Sequence, residues 1–336
     1  MNDKESKLNR IRELLLEKDM MTKPEISEIL QVSRVTTNSL IDELLELGEV
    51  QEAGKVEVTH GRPSILYRII SENFRFLLLS FSEINQELTL SAKLIDGKRN
   101  LISEYKDVFQ DFRLEKLLQF PKKIIKSPKN LKSIAISIPG KAIKGIVAVS
   151  WWDKLNGWDI IGAFKNEFAV PIFVENDANL ATIGFAKKLN LNSDKGIVGI
   201  YYPLGSRPGA SIFYNEQLIS GNGSLAGEVK YLPIFNMNKH DYSFDEEVRL
   251  LVEILKLYTI LVAPKYLLVH KSTLKQEQLQ LLLDEQLKKT GIPISSEIFI
   301  SEKFEEHNLE GLIWLAQQGV AYKIGKTKNG SGNDGN

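Results

Sequence analysis

Two short runs carry groups able to do chemistry. The first, Val174-Glu175-Asn176-Asp177-Ala178-Asn179, sets two carboxylates and two amides close together, straight after the apolar Val170-Pro171-Ile172-Phe173. A β-branched and aromatic run predicts a buried strand, and the exit of a strand ahead of a helix is where open α/β sheets place ligand groups. Capping a helix with Asp177 or Asn179 is the plainer reading, but a cap needs one such residue and this run holds four. The second run, Ser33-Arg34-Val35-Thr36-Thr37-Asn38-Ser39, gathers hydroxyls, an amide and a guanidinium. Small polar side chains with one arginine at the start of a helix suit the reading of base edges in a DNA major groove.

The second run needs a helix to carry it, and residues 1–70 predict one. Leu8, Ile11, Leu14 and Leu15 recur at helical spacing. Thr22, Pro24 and Glu25 predict a capping box opening a second helix with Ile26, Ile29 and Leu30. Gln31-Val32-Ser33 then makes a turn, with Ser33 as the next cap, and the third helix is expected to give Val35, Leu40, Ile41, Leu44 and Leu45 to the core. Alternation after Gly48 predicts a hairpin turning at Gly54-Lys55, which completes a winged helix-turn-helix. The DNA-facing set is Ser33, Arg34, Thr36, Thr37, Asn38 and Ser39, joined by His60-Gly61-Arg62-Pro63. In that last stretch glycine permits close approach, proline holds the chain extended, and Arg62 suits a narrow A·T-rich minor groove. Ten Lys/Arg against thirteen Asp/Glu give residues 1–70 a net charge of −3, unusual for a DNA binder. The acids fall mainly in the first helix and late in the third, which spares the reading end.

The whole chain of 336 residues balances 43 basic against 43 acidic residues, so any DNA binding must arise from local geometry rather than bulk charge. Cysteine is absent, which removes disulfides, thiolate zinc sites and cysteine nucleophiles. No stretch approaches the roughly 20 apolar residues of a membrane span, and the charged Met1–Arg10 segment lacks the apolar core of a signal peptide. A cytoplasmic location without membrane contact is expected.

From Phe74 strands alternate with helices. Residues 74–98 predict two or three antiparallel strands with a turn at Asp96-Gly97. A lysine-rich helical stretch (114–128), a buried strand (133–140), a helix from Trp158 to Phe168 and the strand before Glu175 follow. A second set comprises strands over 196–204 and 209–221, helices over 244–262 and 274–288, and a strand at 265–270. Two such units in tandem predict a bilobed α/β protein with a cleft. Trp151, Trp152 and Trp158 beside an apolar strand are expected in the core rather than stacked on a ligand.

These motifs resemble the ROK family of repressors, open reading frames and sugar kinases, from about Leu8 to about Gly319. "VSRVTTNSLIDELLELGEV" and "HGRP" are similar to the DNA-binding domain of its xylose-type and N-acetylglucosamine-type repressors. The run from Ser137 to Ala181 resembles the family's Pro-Gly loop, Trp and E-N-D-A-N cluster, and "GNGSLAGEVKYLPI" stands where members have G-A-G-E-I-G-H. The resemblance implies an α/β architecture: a winged helix-turn-helix followed by a bilobed actin-like, ribonuclease-H-like sugar-kinase fold. Residues 1–70 would form the DNA-binding domain and 71–180 the first lobe, completed by a C-terminal helix at about 308–324. Residues 181–307 would form the second lobe and 325–336 a disordered tail. It also implies a sugar site in which Asn176 and Asp177 face hydroxyls, Glu228 the anomeric side, and Gly140 supplies backbone. Tyr231 would replace a histidine, and Lys230 would suit a phosphorylated or acidic sugar.

The departures from the family are as informative. Its kinases use Asp-x-Gly-Gly-Thr in the first hairpin, because backbone amides near a polyphosphate require glycine. The matching "SFSEINQEL" has no glycine and carries Glu83 and Glu87. The second phosphate loop survives partly in "PLGSRPGAS", and "LLVHKST" replaces a Gly-Gly pair. The zinc motif lacks its histidine, where Tyr231 stands, and all its cysteines, while His240 reads as a loop residue. The expectation is therefore no cofactor, no metal and no enzyme activity. The chain reads as a DNA-binding transcriptional repressor of carbohydrate genes that senses a sugar or sugar phosphate and acts as a homodimer on a palindromic, A·T-rich operator. Two alternatives stand beside it: a sugar kinase using Asp177 as base, and a ligand-independent DNA-binding or scaffold protein with a decayed sugar site.

Overall fold

The computed structural model describes residues 3–56, 63–84, 87–126, 130–203, 207–235, 242–271, 276–292 and 295–320. The chain divides into two compact units, Met1–Ile136 with Ile160–Phe173 and Ala316–Asn336, and Ser137–Asp159 with Val174–Leu315.

The first unit opens with α1 (Asp3–Lys18), a two-residue strand β1 (Met21–Thr22), α2 (Lys23–Leu30) and α3 (Arg34–Glu46). Thr22 caps α2 in a complete capping box with Glu25, and Ser33 caps α3, as the sequence predicts. Between them Gln31 takes a left-handed conformation, φ 56°, and turns the chain sharply. Leu8, Ile11, Leu15, Ile26, Leu40, Ile41 and Leu44 are buried and make the shared core of the three helices, each side chain contributing about 1.5–3 kcal/mol. Val35 does not join them: it is 78% exposed. The hairpin β2 (Val50–Val56) and β3 (Ser64–Ile69) follows, with β3 between β1 and β2 in an antiparallel sheet. Gly54-Lys55 is not its turn. The register shifts between Glu52 and Gly54, a bulge that Gly54 accommodates at φ 130°, and pairing continues to Val56 opposite Ser64.

The meander β4 (Arg75–Ile84), β5 (Glu87–Ile95) and β6 (Leu101–Val108) turns at Asp96-Gly97 as predicted. Short helices α4 (Leu114–Leu117) and α5 (Gln119–Ile124) replace the single longer helix expected there. Phe120 of α5 packs against Tyr105 and Phe109 at ring-centroid distances of 5.4 and 5.8 Å. The strand β7 (Leu131–Ile138) follows, then the hairpin strands β8 (Gly140–Ile143) and β9 (Ile146–Ser150), α6 (Ile160–Glu167) and β10 (Ile172–Asn176). The sheet order is β10-β7-β4-β5-β6, so β10 is an edge strand and only Ile172 within it is fully buried.

Residues 1–70 are pinned to the meander inside this unit. Asp96 is buried and accepts hydrogen bonds from Ser71 Oγ (2.9 Å), Lys98 N (2.8 Å) and both nitrogens of Asn100 (2.8 and 3.0 Å), while Lys98 Nζ reaches Asp19 at 2.5 Å. Arg12, also buried, bonds Glu49 at 2.7 Å and Glu5 at 2.9 Å, and Lys132 of β7 lies 3.6 Å from Glu49. Asn73 Nδ2 donates to Gly48 O at 2.7 Å.

In the second unit α7 (Asp177–Lys188), β11 (Ile197–Tyr202), β12 (Gly209–Tyr214), β13 (Gln217–Leu218), α8 (Phe244–Leu261), β14 (Tyr266–Lys271), α9 (Gln276–Lys288), β15 (Glu297–Ser301) and α10 (Phe304–Gln317) follow in order. The sheet runs β13-β12-β11-β14-β15, with β11, β14 and β15 mutually parallel. Alternation sets the two faces. Val198, Ile200, Leu267 and Val269 pack with Leu251, Leu255 and Leu283 of α8 and α9, whereas Ile197, Leu268 and Phe213 share a cluster with Ile183 of α7 and Trp314 of α10. The C-terminal helix thus lies in the second unit up to Leu315. The expected tail at 325–336 falls outside the described residues.

Candidate functional site

The start of α3 is a rigid polar turn. Ser33 Oγ accepts from Thr36 N at 3.1 Å and shares a 2.8 Å hydrogen bond with Thr36 Oγ1. Thr37 is 1% exposed and its hydroxyl donates to Ser33 O at 3.2 Å, so it belongs to the helix core and is withdrawn from the DNA-facing set. Arg34, Asn38 and Ser39 are exposed, and Val35 stands among them. His60, Gly61 and Arg62 lie outside the described residues, while Pro63 is exposed at the entry to β3. An open concavity of about 580 Å³ lies elsewhere on this segment, lined by Lys18, Met20, Met21, Glu25, Glu28 and Ile29; Glu25 there is already committed to the α2 cap.

The second cluster forms where β10 passes into α7. Asn176, rather than Asp177 or Asn179, is the cap: its Oδ1 accepts from Asn179 N at 3.1 Å. Its Nδ2 donates to Gly140 O at 2.8 Å and to Asp177 Oδ1 at 3.1 Å, which brings Gly140, Asn176 and Asp177 together. Gly140 is required by close approach, since a Cβ there would lie 2.4 Å from Val149 O and 2.6 Å from Ser150 Cα. Glu175 Oε1 accepts from Asn176 N at 2.7 Å and Asn179 Nδ2 at 2.8 Å, and Asn179 Oδ1 in turn accepts from Ser211 Oγ at 2.6 Å. Asn308 of α10 fixes the first residue of α7 by donating to Asp177 O at 3.0 Å.

Asp177 Oδ1 also accepts from Ala178 N at 2.8 Å, and among the described residues no side chain other than Asn176 donates to this carboxylate. Desolvation by the surrounding protein pushes its pKa up to about 7, although one edge of the residue remains open to solvent. Burial also raises Glu175, against the pull of its two hydrogen bonds. A carboxyl group poised near neutrality beside a fixed amide can accept from a ligand hydroxyl when ionised and donate when protonated.

Glu228, Lys230 and Tyr231 form a separate group around a short 3-10 turn at Val229–Tyr231. Glu228 pairs with Lys230 at 2.9 Å, and the ammonium lies 5.2 Å from the Tyr231 ring centroid, with Tyr231 itself 62% exposed. No hydrogen bond or ion pair among the described residues joins these three directly to Asn176 or Asp177. The link runs through Lys141, which no sequence motif signalled: beside Gly140 on β8, its Nζ donates to Gly223 O at 2.9 Å and to Ser224 O, both in the loop leading to Glu228.

Two further polar pairs escaped sequence reading. Lys271, fully buried at the end of β14, pairs with Glu247 at 2.7 Å and lies 4.4 Å from the Tyr202 ring centroid, Tyr202 being its neighbour across the parallel register. His270 Nε2 and His307 Nδ1 share a buried 2.8 Å hydrogen bond; burial lowers the two pKa values to about 3 and about 4, and Phe185 stacks on His307. Both pairs combine residues distant in sequence, and the histidines are neutral at ordinary pH. Among the described residues no three His, Asp or Glu gather closely enough to hold a metal ion, and His240 lies outside them. The tryptophans depart from expectation: Trp151 is 63% exposed, and Trp152 and Trp158 are half-buried, because the β8–β9 hairpin and the turn after it lie at the surface.

Comparison with known proteins bears on this arrangement. The ROK family pattern matches residues 98–240. The xylose repressor of Caldicellulosiruptor bescii is 25% identical over 235 residues, 66% of this chain and 56% of that protein. The xylose repressor of Bacillus subtilis is 23% identical over 229 residues, 66% of this chain and 58% of its own. The chain thus spans little more than half the length of these curated relatives. Among solved structures, a ROK family transcriptional regulator, a homologue of the E. coli MLC protein, superposes with a TM-score of 0.62 at 14% identity over 94% of this chain and 96% of its own. A ROK family protein from Streptococcus pneumoniae in complex with sucrose gives 0.60 at 14% identity, over 73% of this chain and 98% of its own. A ROK hexokinase from Thermus thermophilus gives 0.52 at 12% identity, over 73% and 99%. Residues 98–240 thus match the ROK family pattern, and the chain shares the fold of a ROK family transcriptional regulator.

Proposed function

We propose that the chain is a transcriptional repressor whose residues 1–70 form a winged helix-turn-helix that binds operator DNA, and whose ROK domain senses a sugar or sugar phosphate without phosphorylating it. One observation carries this reading. The regulator superposes on 94% of the chain, whereas the sucrose-bound protein and the hexokinase cover 73%, so the likeness to the regulator takes in a part of the chain that the other two leave out. Ser33, Arg34, Thr36, Asn38 and Ser39 at the start of α3, with His60, Gly61, Arg62 and Pro63, are the proposed DNA-binding residues, and Arg34, Asn38 and Ser39 are exposed. Gly140, Asn176 and Asp177 are the proposed hydroxyl-binding group, with Glu228, Lys230 and Tyr231 alongside.

The lack of glycine between Ser80 and Glu87 and the burial of Lys271 with Glu247 at the end of β14 support a sensor without kinase activity. The kinase alternative draws on Asp177, whose pKa of about 7 suits a general base. Effector binding acts as a coupling free energy, of about 1–3 kcal/mol. A homodimer on a palindromic operator completes the proposal.

The test is fluorescence anisotropy of labelled DNA from upstream of the protein's own gene, titrated with protein at stated salt and then with xylose, other sugars and sugar phosphates. Specific binding that one sugar shifts is the expected result. Binding that no sugar shifts favours the decayed-site alternative, and sugar-dependent ATP hydrolysis favours the kinase.

A further inference from the structure

Val35 is the one residue of α3 whose apolar character the fold does not use. Arg34, Asn38 and Ser39 around it are exposed, and its own exposure is 78%. A β-branched side chain there contributes nothing to the core and slightly disfavours the helix. Single exposed apolar residues are common, and alone this one would mean little. Its placement adds the argument. It lies two residues after the Ser33 cap, on the turn fixed by the Ser33–Thr36 hydrogen bonds and the Thr37 bond to Ser33 O, so the backbone that carries it is held on both sides. Asn38 and Ser39 follow at the i+3 and i+4 positions of the same face.

In the major groove thymine differs from cytosine by a C5-methyl group, which apolar side chains read, while asparagine matches the N6 and N7 of adenine. The geometry points to Val35 as a specificity-determining residue that packs on the C5-methyl of a thymine in each operator half-site, beside an adenine read by Asn38. This inference rests on the proposed DNA-binding function and names what that surface selects. An uncharged residue neutralises no phosphate, so its contribution is independent of salt, unlike that of Arg34.

The full chain is first used to select binding sequences from a randomised duplex library. Each thymine of the enriched site is then replaced singly by deoxyuridine, which removes the methyl and leaves base pairing intact. Wild type should lose about fourfold in affinity at one thymine per half-site, the factor expected for one buried methyl group. Val35→Ala, at an exposed position and with unchanged thermal unfolding as its control, should bind thymine and deoxyuridine sites alike, with the salt dependence of wild type. Tolerance of every deoxyuridine by wild type, or a methyl effect undiminished in Val35→Ala, would overturn the inference while leaving DNA binding intact. Failure of any sequence to enrich would overturn both.

Discussion

Replacing Asp177 with asparagine should stabilise the protein at about pH 8 and change it little at about pH 4.5, a pattern opposite to that of an ordinary ion-paired carboxylate. Folding lifts the Asp177 pKa from 3.8 to about 7 through burial. Between those values the folded state holds a proton that the unfolded state has released. The associated stability is fully present below about pH 4 and disappears as pH rises through about 7. At about 1.4 kcal/mol per pH unit the ceiling is roughly 4 kcal/mol, and solvent reaching the open edge of the residue reduces it to about 1–2 kcal/mol. Asparagine keeps an acceptor for Ala178 N and removes the charge. Urea denaturation followed by circular dichroism at the two pH values reads the difference between variant and wild type. A variant less stable by the same amount at both would refute the reasoning, since Asp177 would then act as a bonded structural acceptor whose charge costs nothing.

Removing the charge of Glu49 by Glu49→Gln should cost about 3 kcal/mol, because buried Arg12 loses its nearer carboxylate. A double-mutant cycle with Arg12→Met in thermal unfolding should give a coupling above about 1 kcal/mol, and simple additivity would contradict the network. Thr37→Val should lower stability by about 1 kcal/mol while leaving DNA sequence preference unchanged, and a changed preference in a binding-site selection would return Thr37 to the reading face. Arg62→Ala should weaken binding mainly to operators with A·T-rich flanks, and equal losses on G·C-rich flanks in an anisotropy titration would remove the minor-groove role.

Local chemistry was legible in the sequence wherever partners were close along the chain. The Thr22–Glu25 capping box, the Ser33 cap and the Asp96-Gly97 turn all join residues within a few positions of one another. Where a pattern admitted two local solutions, the fold chose the other. Val35 fits the apolar periodicity but lies on the first turn of α3, outside the core that Leu40, Ile41 and Leu44 share. Gly54 reads as a hairpin turn but serves a bulge that lets β2 continue to Val56. In the Glu175–Asn179 cluster the residue types were readable and their duties were not: capping fell to Asn176, which also ties α7 to Gly140. The Lys271–Glu247 and His270–His307 pairs lie 24 and 37 positions apart, and Lys141 reaches carbonyls more than 80 positions away, distances at which spacing carries no signal.

DNA affinity and the Asn176–Asp177 cluster are proposed to be coupled. The most direct measurement of that coupling is the anisotropy-derived affinity of the full chain for its selected operator, at one salt concentration, with and without the sugar that shifts it, in wild type and in Asp177→Ala. A change of about 5-fold or more in wild type that vanishes in Asp177→Ala, with sugar-free affinity retained, is the predicted result. A sugar response that survives intact in Asp177→Ala would contradict sensing through Asp177.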